Sequence, residues 1–249
     1  MNNLLLRLLT AAVVVPLVLL AVFRGPARLF AAVITVLALF GLHELFRMLE
    51  RRRHRPFAAF GFIGLVLVSL SAWADPPAFP GSAFLLQPIV LLAVLVAGLA
   101  VAQAARGQRD TSVTDVALTL YAVLYVGWLS GFAIRLRDLP EGPRWIFLLL
   151  ALTWVFDAGA YAWGRALGRT KMWPAVSPGK TWEGYWGGTA TALLALSTVQ
   201  HAPEWVTRFP DLLPTILGTG PLLLLVFAGC AVAQFGDLVE SMIKRAMGV

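Results

Sequence analysis

Long apolar runs separated by short polar segments dominate this sequence. A membrane-spanning helix needs about 20 mostly apolar residues. Runs that come close to this length lie at about 4–23, 27–46, 57–74, 84–104, 112–134, 145–163, 184–200 and 212–235. Proline and glycine interrupt several of them, which membrane helices tolerate. The pattern predicts an all-α, polytopic integral membrane protein with about eight transmembrane helices. We expect the first run to be a retained helix rather than a removed signal.

Basic residues gather in alternate loops and so predict an orientation. The segment 47–55 reads RMLERRRHR, and further Lys and Arg occur at 105–110, at 164–183 and in the C-terminal tail. By the positive-inside rule this bias favours cytoplasmic termini, although the arginines at 24, 28, 135, 137 and 144 would then face outward. We divide the chain into N-terminal helices at 1–134 and a C-terminal part at 135–249, which carries the polar motifs.

Composition narrows the class of protein. The chain is 59% hydrophobic and 13% charged, whereas soluble domains carry about 25% charged residues. In a soluble protein, the net charge of +7 would suggest that the protein binds nucleic acid. Here the cations lie between apolar runs, where anionic headgroups attract them, so we expect membrane lipids and no nucleic acid as partners. The single cysteine, Cys230, lies in an apolar run and is predicted to pack there.

The segment SPGKTWEGYWGG, residues 177–188, contains a Gly-Lys-Thr sequence typical of phosphate loops. A P-loop requires Gly-x4-Gly-Lys-[Ser/Thr], and Pro174 stands where the first glycine is needed. The segment also follows an apolar helix rather than a strand. We therefore exclude a P-loop. The simplest alternative is a turn at Pro178–Gly179 that joins two helices.

An ionisable residue, Asp157, lies inside the sixth apolar run. Such a residue is a functional-site hypothesis by default. At helical spacing it shares one face with Tyr161, Gly164 and Arg165. The alternative is that Asp157 pairs locally with Arg165 or lies near the membrane edge.

A second acidic patch lies at 234–245, QFGDLVESMIKR. Asp237, Glu240, Ser241 and Lys244 fall on one helical face. The alternative is a solvated helix start whose charges suit the helix dipole.

Together the three clusters predict chemistry on phosphates at one side of the membrane. Two or three carboxylates suit Mg²⁺, which often binds through one or two carboxylates plus substrate phosphates. Nearby cations suit phosphate oxygens; they are Arg165, Lys171, Lys180, Lys244 and Arg245. This combination favours phosphoryl or nucleotidyl transfer. A Ser-His-Asp triad is excluded because the three histidines lie outside the clusters.

The order of motifs across 154–245 resembles the phosphatidate cytidylyltransferases (CDP-diacylglycerol synthases). The residues that carry the resemblance are Trp154-x-x-Asp157-x-x-Ala160-Tyr161-x-x-Gly164-Arg165-x-x-Gly168-x-x-Lys171-x-x-Pro174, then Ser177-Pro178-x-Lys180-Thr181-x-Glu183-Gly184, then Gly236-Asp237-Leu238-x-Glu240-Ser241-x-x-Lys244-Arg245.

The resemblance implies that CTP and phosphatidic acid react to give CDP-diacylglycerol and pyrophosphate, with Mg²⁺ required, at a bacterial-type inner (plasma) membrane. It implies catalytic roles for Asp157, Lys180 and Asp237, with Asp237 as the metal ligand. It implies that substrate is bound by Tyr161, Arg165, Lys171, Ser177, Thr181, Glu183, Glu240, Ser241, Lys244 and Arg245. We count a second copy of the chain, in a homodimer, among the candidate partners.

Two features depart from the family pattern. Ala233 stands where the family usually has Ser, and the pattern continues beyond Val249 into Lys-Asp, His-Gly-Gly and Asp-Arg segments. We expect the missing aspartate to complete the metal site, so activity is expected to be impaired. The alternatives are a transporter or lipid flippase, and a non-catalytic membrane partner of an intact paralogue.

Overall fold

A computed structural model describes residues 15–73, 82–106, 112–201, 212–214 and 218–248. These residues are almost entirely helical, which confirms the all-α prediction in outline. The chain divides into two compact units, Met1–Pro140 and Glu141–Val249. The domain division predicted after residue 134 falls inside a helix of the first unit and stays a prediction.

The first unit consists of consecutive helices. They are α1, described over Val15–Arg24, α2 at Ala27–Arg51, α3 at Ala58–Trp73, α4 at Ser82–Arg106, α5 at Ser112–Ala122, a π-helical segment at Val123–Trp128, and α6 at Leu129–Asp138. Leu42 and Leu65 are fully buried where α2 and α3 contribute to its core. Gly61 of α3 leaves room for the Phe46 ring, since a Cβ there would lie 2.4 Å from Cζ of Phe46.

Two polar side chains of α5 fix the chain that connects α2 to α3. Asp115 Oδ1 accepts a hydrogen bond from the Arg55 N–H at 3.0 Å. The hydroxyl of Thr119 accepts one from the Phe57 N–H at 2.9 Å. Both side chains are buried. They satisfy main-chain donors that would otherwise lack partners in an apolar setting.

The second unit contains the polar motifs. Its elements are α7 at Gly142–Leu167, β1 at Lys171–Trp173, β2 at Ser177–Thr181, α8 at Trp182–Gln200 and α9 at Thr219–Met247. The two strands are antiparallel, with Lys171 opposite Thr181 and Trp173 opposite Ser177.

This hairpin corrects the predicted turn. The turn lies at 174–176, where the Val176 N–H donates to the Trp173 carbonyl at 3.2 Å. Pro178 and Gly179 lie within β2. The prediction was wrong because Pro-Gly is a strong local turn signal. Trp173 pairs with Ser177, so the chain has already reversed its direction before Pro178 and Gly179.

Helices α7 and α8 approach through glycines. A Cβ on Gly188 would lie 2.8 Å from the Phe156 carbonyl oxygen, and one on Gly184 would lie 2.8 Å from that of Ala160. A Cβ on Gly159 would lie 2.8 Å from Cβ of Thr191. Small residues of this kind let helix backbones come close in membrane proteins.

Helix α9 packs its apolar half into the same core. Leu222, Val226 and Cys230 of α9 are buried in a cluster that includes Leu152 and Phe156 of α7. Cys230 is completely buried, which confirms the prediction that it packs in the interior. This packing sets the position of the polar half of α9, which follows along the same helix.

Among the described residues, four helical stretches are long and apolar enough to cross a membrane. They are Ala27–Arg51, Val113–Asp138, Gly142–Leu167 and Thr219–Met247. Shorter apolar helices lie at Val15–Arg24, Ala58–Trp73 and Val94–Ala105. Much of the first predicted span lies outside the described residues. The composition therefore favours a membrane protein, and the prediction of about eight spans is not confirmed.

The close contact of α7 and α8 gives a first prediction. Gly188→Ala inserts a methyl group where main-chain atoms lie within 3 Å, so we expect the protein to lose about 1–3 kcal/mol of stability. The thermal denaturation midpoint of the purified protein in detergent measures this loss. Gly220→Ala is the matched control, because nothing lies within 4 Å of its added Cβ. Equal midpoints for both variants would contradict the packing described here.

Candidate active site

The second unit contains a cavity of about 430 Å³, a size typical of small-molecule sites. Its walls come from α7, β2, α8 and α9. The lining residues are Asp157, Ala160, Tyr161, Gly164, Arg165, Gly179, Lys180, Thr181, Gly184, Tyr185, Gln234 and Asp237. Residues from all three predicted clusters therefore meet in one place.

One face of α7 forms a wall of the cavity. Asp157, Tyr161, Gly164 and Arg165 all line it, which is the shared face that helical spacing predicts. Arg165 Nη1 donates a hydrogen bond to the Tyr161 hydroxyl at 3.1 Å. The observed partner of Arg165 is thus Tyr161 rather than Asp157, and both residues are exposed and line the cavity.

An ion pair connects the hairpin to α9. The Lys180 ammonium contacts Asp237 Oδ2, with the side chains 17% and 54% exposed. The Asp157 carboxylate experiences the charges of both residues. A carboxylate from each of two helices and an ammonium from a strand thus form one charged group inside the cavity.

Asp237 lies well inside α9, which continues without a break from Thr219 to Met247. The alternative that the acidic patch is a solvated helix start is therefore wrong. The change from apolar to polar residues near Gln234 marks a change of environment along one helix and not a new helix.

The start of α8 holds the hairpin in place. Thr181 is the N-cap, and its hydroxyl accepts a hydrogen bond from the Gly184 N–H at 3.2 Å. Glu183 accepts hydrogen bonds from the N–H groups of Arg169 and Thr170, each at 3.1 Å. Hydrogen bonds from its own main chain and from Thr170 lower the pKa of Glu183 to about 2. The capping threonine thus holds the end of the hairpin at β2, and the ionised glutamate holds the chain just before β1.

Several predicted substrate-binding residues lie away from the cavity walls. They are Lys171, Ser177, Glu183, Glu240, Ser241, Lys244 and Arg245. Lys244 pairs with Glu240 one helical turn earlier on α9. The structure thus gives Glu183 and Glu240 local partners, and contact of these seven residues with substrate stays a prediction.

Two residues that line the cavity were not predicted from the sequence. Tyr185 and Gln234 are 9% and 8% exposed, and both line the cavity. Gln234 lies one helical turn before Asp237 and so on the same face, a spacing that could have identified it. Tyr185 gives no such signal, because its place depends on how α7 and α8 pack.

The arrangement of the carboxylates decides whether they suit a metal ion. Within the described ranges, no group of three or more His, Cys, Asp or Glu could hold a metal ion. Asp157 and Asp237 nevertheless line the same cavity. Because Mg²⁺ commonly uses one or two carboxylates and takes further oxygens from substrate phosphates, this pair fits an ion that is shared with a phosphate ligand.

Comparison with known proteins gives the family. Residues 5–249 match the family described as the cytidylyltransferase family. The chain belongs to this family.

Its relatives include proteins named phosphatidate cytidylyltransferase in several bacteria. The one from Bacillus subtilis is 31% identical over 207 residues, which are 82% of this chain and 72% of the relative. The one from Staphylococcus aureus is 30% identical over 243 residues, 98% of this chain and 86% of the relative. A Staphylococcus epidermidis relative is 38% identical over 138 residues, so the match spans about half of each protein, 55% and 48%.

The role of Glu183 gives a second prediction. Glu183→Ala removes the acceptor for the Arg169 and Thr170 N–H groups, so these amides should exchange hydrogen faster while the core helices keep their protection. Hydrogen exchange measured by mass spectrometry reports this. Because the pKa is lowered from 4.5 to about 2, the stabilisation is complete above pH 4.5 and is lost as the pH falls toward 2.

Glu240→Ala is the matched control, since it removes a helical glutamate whose described partner is Lys244. Exchange at 169–170 that is equally slow in both variants would contradict the role given to Glu183.

Proposed function

We propose that this chain transfers CMP from CTP to phosphatidic acid, giving CDP-diacylglycerol and pyrophosphate, in the phospholipid synthesis of a bacterial plasma membrane. The observation that carries the proposal is the convergence of Asp157, Lys180 and Asp237 on one cavity. The relatives' shared name supports the same substrates. We further propose a multi-pass topology with cytoplasmic termini, which gives the cavity access to CTP.

The proposed reaction is a displacement at phosphorus. A phosphate oxygen of phosphatidic acid forms a bond to the α-phosphorus of CTP. The bond from that phosphorus to the oxygen bridging to the β-phosphate breaks, and pyrophosphate leaves with the electron pair. In such transfers the protein contributes mainly position and charge stabilisation.

The residues of the cavity suit these tasks. Lys180 and Arg165 offer donors to phosphate oxygens, and charge-assisted hydrogen bonds of this kind are the strong ones. Asp157 and Asp237 would hold Mg²⁺ together with the phosphates. When bound, the ion neutralises charge on the triphosphate. Because Lys180 pairs with Asp237, we propose that a phosphate and Mg²⁺ would compete for this contact.

Transfer of radioactive label from CTP into chloroform-extractable lipid tests the proposal. The purified chain, supplied with phosphatidic acid and Mg²⁺, is expected to form labelled CDP-diacylglycerol and release pyrophosphate in equal amounts. Absence of labelled lipid from a folded preparation would overturn the proposal. Movement of phosphatidic acid across liposome membranes without CTP would favour the flippase instead.

Asp237→Asn should lower the rate of transfer by about 100-fold or more, because a neutral amide removes a ligand charge from the predicted metal site. Loss of a residue that only supports a metal ligand already costs about 10- to 100-fold. The initial rate of labelled lipid formation at saturating Mg²⁺ measures the effect. Asp138→Asn, an exposed aspartate at the end of α6, is the matched control and should retain the rate. A normal rate for Asp237→Asn would refute the metal assignment.

Lys180→Ala should raise the KM for CTP and lower kcat by about tenfold or more each, since it removes a charge-assisted donor. Steady-state kinetics with CTP as the varied substrate give both constants. Unchanged constants would mean that β2 only connects α7 to α8.

A further inference from the structure

The side-chain amide of Gln234 has no role in the site as described so far. Gln234 lies on α9, one turn before Asp237, and is 8% exposed. It lines the same cavity as Lys180 and Asp157. Its Nε2 atom is buried and has no hydrogen-bond partner among the described residues. The amide is therefore a buried donor on a residue that lines the cavity.

A buried donor without an acceptor is costly and rare in folded proteins. Two carboxylates line the same cavity, yet neither Asp157 nor Asp237 accepts a hydrogen bond from Gln234 Nε2 in the described structure. Asp237 contacts the Lys180 ammonium instead. A ligand in the cavity that Gln234 lines can supply the acceptor for Nε2.

The charges of the cavity indicate the chemistry of that acceptor. Lys180 and Arg165 favour an anionic ligand, and phosphoryl groups present acceptor oxygens in several directions. A third cation beside Asp237 would compete with Lys180 for its carboxylate, and a carboxylate would repel the ligand. An amide donates hydrogen bonds without adding charge. It can therefore bind a phosphoryl oxygen without changing the net charge around Asp237.

We propose that Gln234 is a substrate-binding residue whose Nε2 donates to a phosphoryl oxygen in the cavity. The inference rests on the proposed function, and it adds an uncharged donor to the cationic ones. The oxygen belongs either to the triphosphate of CTP or to the headgroup of phosphatidic acid. Both offer the same chemistry, and kinetics with each substrate varied in turn distinguish them.

Two substitutions test the proposal. Gln234→Met has nearly the same length and no donor, and Gln234→Glu keeps the shape while replacing the donor with a negative charge. Phe235→Leu is the matched control, because Phe235 is 66% exposed on the same helix. The measurements are kcat and KM for both substrates, the thermal midpoint without ligand, and the shift of that midpoint on adding CTP or inorganic pyrophosphate with Mg²⁺.

We expect Gln234→Met to lose about tenfold or more in kcat/KM, the size of one hydrogen bond to a charged group, and Gln234→Glu to lose more. If the oxygen is on CTP, the KM for CTP rises and the shift with pyrophosphate shrinks. If it is on the lipid, only the KM for phosphatidic acid rises. The ligand-free midpoint of Gln234→Met should be unchanged or higher, because methionine removes an unpaired polar group from the interior.

Three outcomes bear against the inference or its basis. Unchanged kinetics in both variants would show that water pairs with the amide and would overturn it. A lower ligand-free midpoint for Gln234→Met would also overturn it, since the amide would then have a partner within the protein. If the unaltered chain neither transfers CMP nor is stabilised by CTP, the proposed function fails, and the inference fails with it.

Discussion

The contact between α7 and α8 is the constraint on which the site depends. Gly159, Gly184 and Gly188 lie so close to the neighbouring helix that a Cβ on any of them would come within 3 Å of its atoms. Such proximity fixes both the distance and the rotation of the two helices, because a packed interface of this kind does not deform continuously. The contact thereby brings Asp157 of α7 to the same cavity as the hairpin that precedes α8.

The charged group in the cavity follows from this geometry. Lys180 lies on β2, whose last residue, Thr181, caps α8. The Glu183 carboxylate holds the chain just before β1 through the Arg169 N–H. Asp237 lies on α9, whose apolar half packs against α7. In the ion pair between Lys180 and Asp237 the two charges offset each other. Under the proposed function, a phosphate bound at Lys180 would leave Asp237 available to a cation.

Much of this arrangement could be predicted from the sequence, because its signals are local. Apolar runs located most of the helices, and the 3.6-residue period placed Asp157, Tyr161 and Arg165 on one face. The hairpin was missed because a Pro-Gly pair resembles a turn, although cross-strand pairing decides where the chain reverses. The sequence left open whether α9 continues through its polar half, because a change of polarity resembles the start of a new helix.

Other features depend on tertiary contacts and leave no local signal. The burial of Gln234 and Tyr185 depends on how α7, α8 and α9 pack, and the number of membrane spans depends on helix length as well as on composition. Seven predicted substrate-binding residues lie outside the cavity walls, and no local pattern indicated this; they are Lys171, Ser177, Glu183, Glu240, Ser241, Lys244 and Arg245.

The central claim is that Lys180 and Asp237 act as one unit in binding the nucleotide, and a double-mutant cycle tests it most directly. The affinity for CTP in the presence of Mg²⁺ would be measured for the unaltered chain, for Lys180→Met, for Asp237→Asn and for the double variant. Residues that share a contact show non-additive losses, with coupling of about 0.5–3 kcal/mol. The account predicts that the double variant binds CTP almost as well as the weaker single variant. Losses that simply add in free energy would show that the two residues act independently and would contradict it.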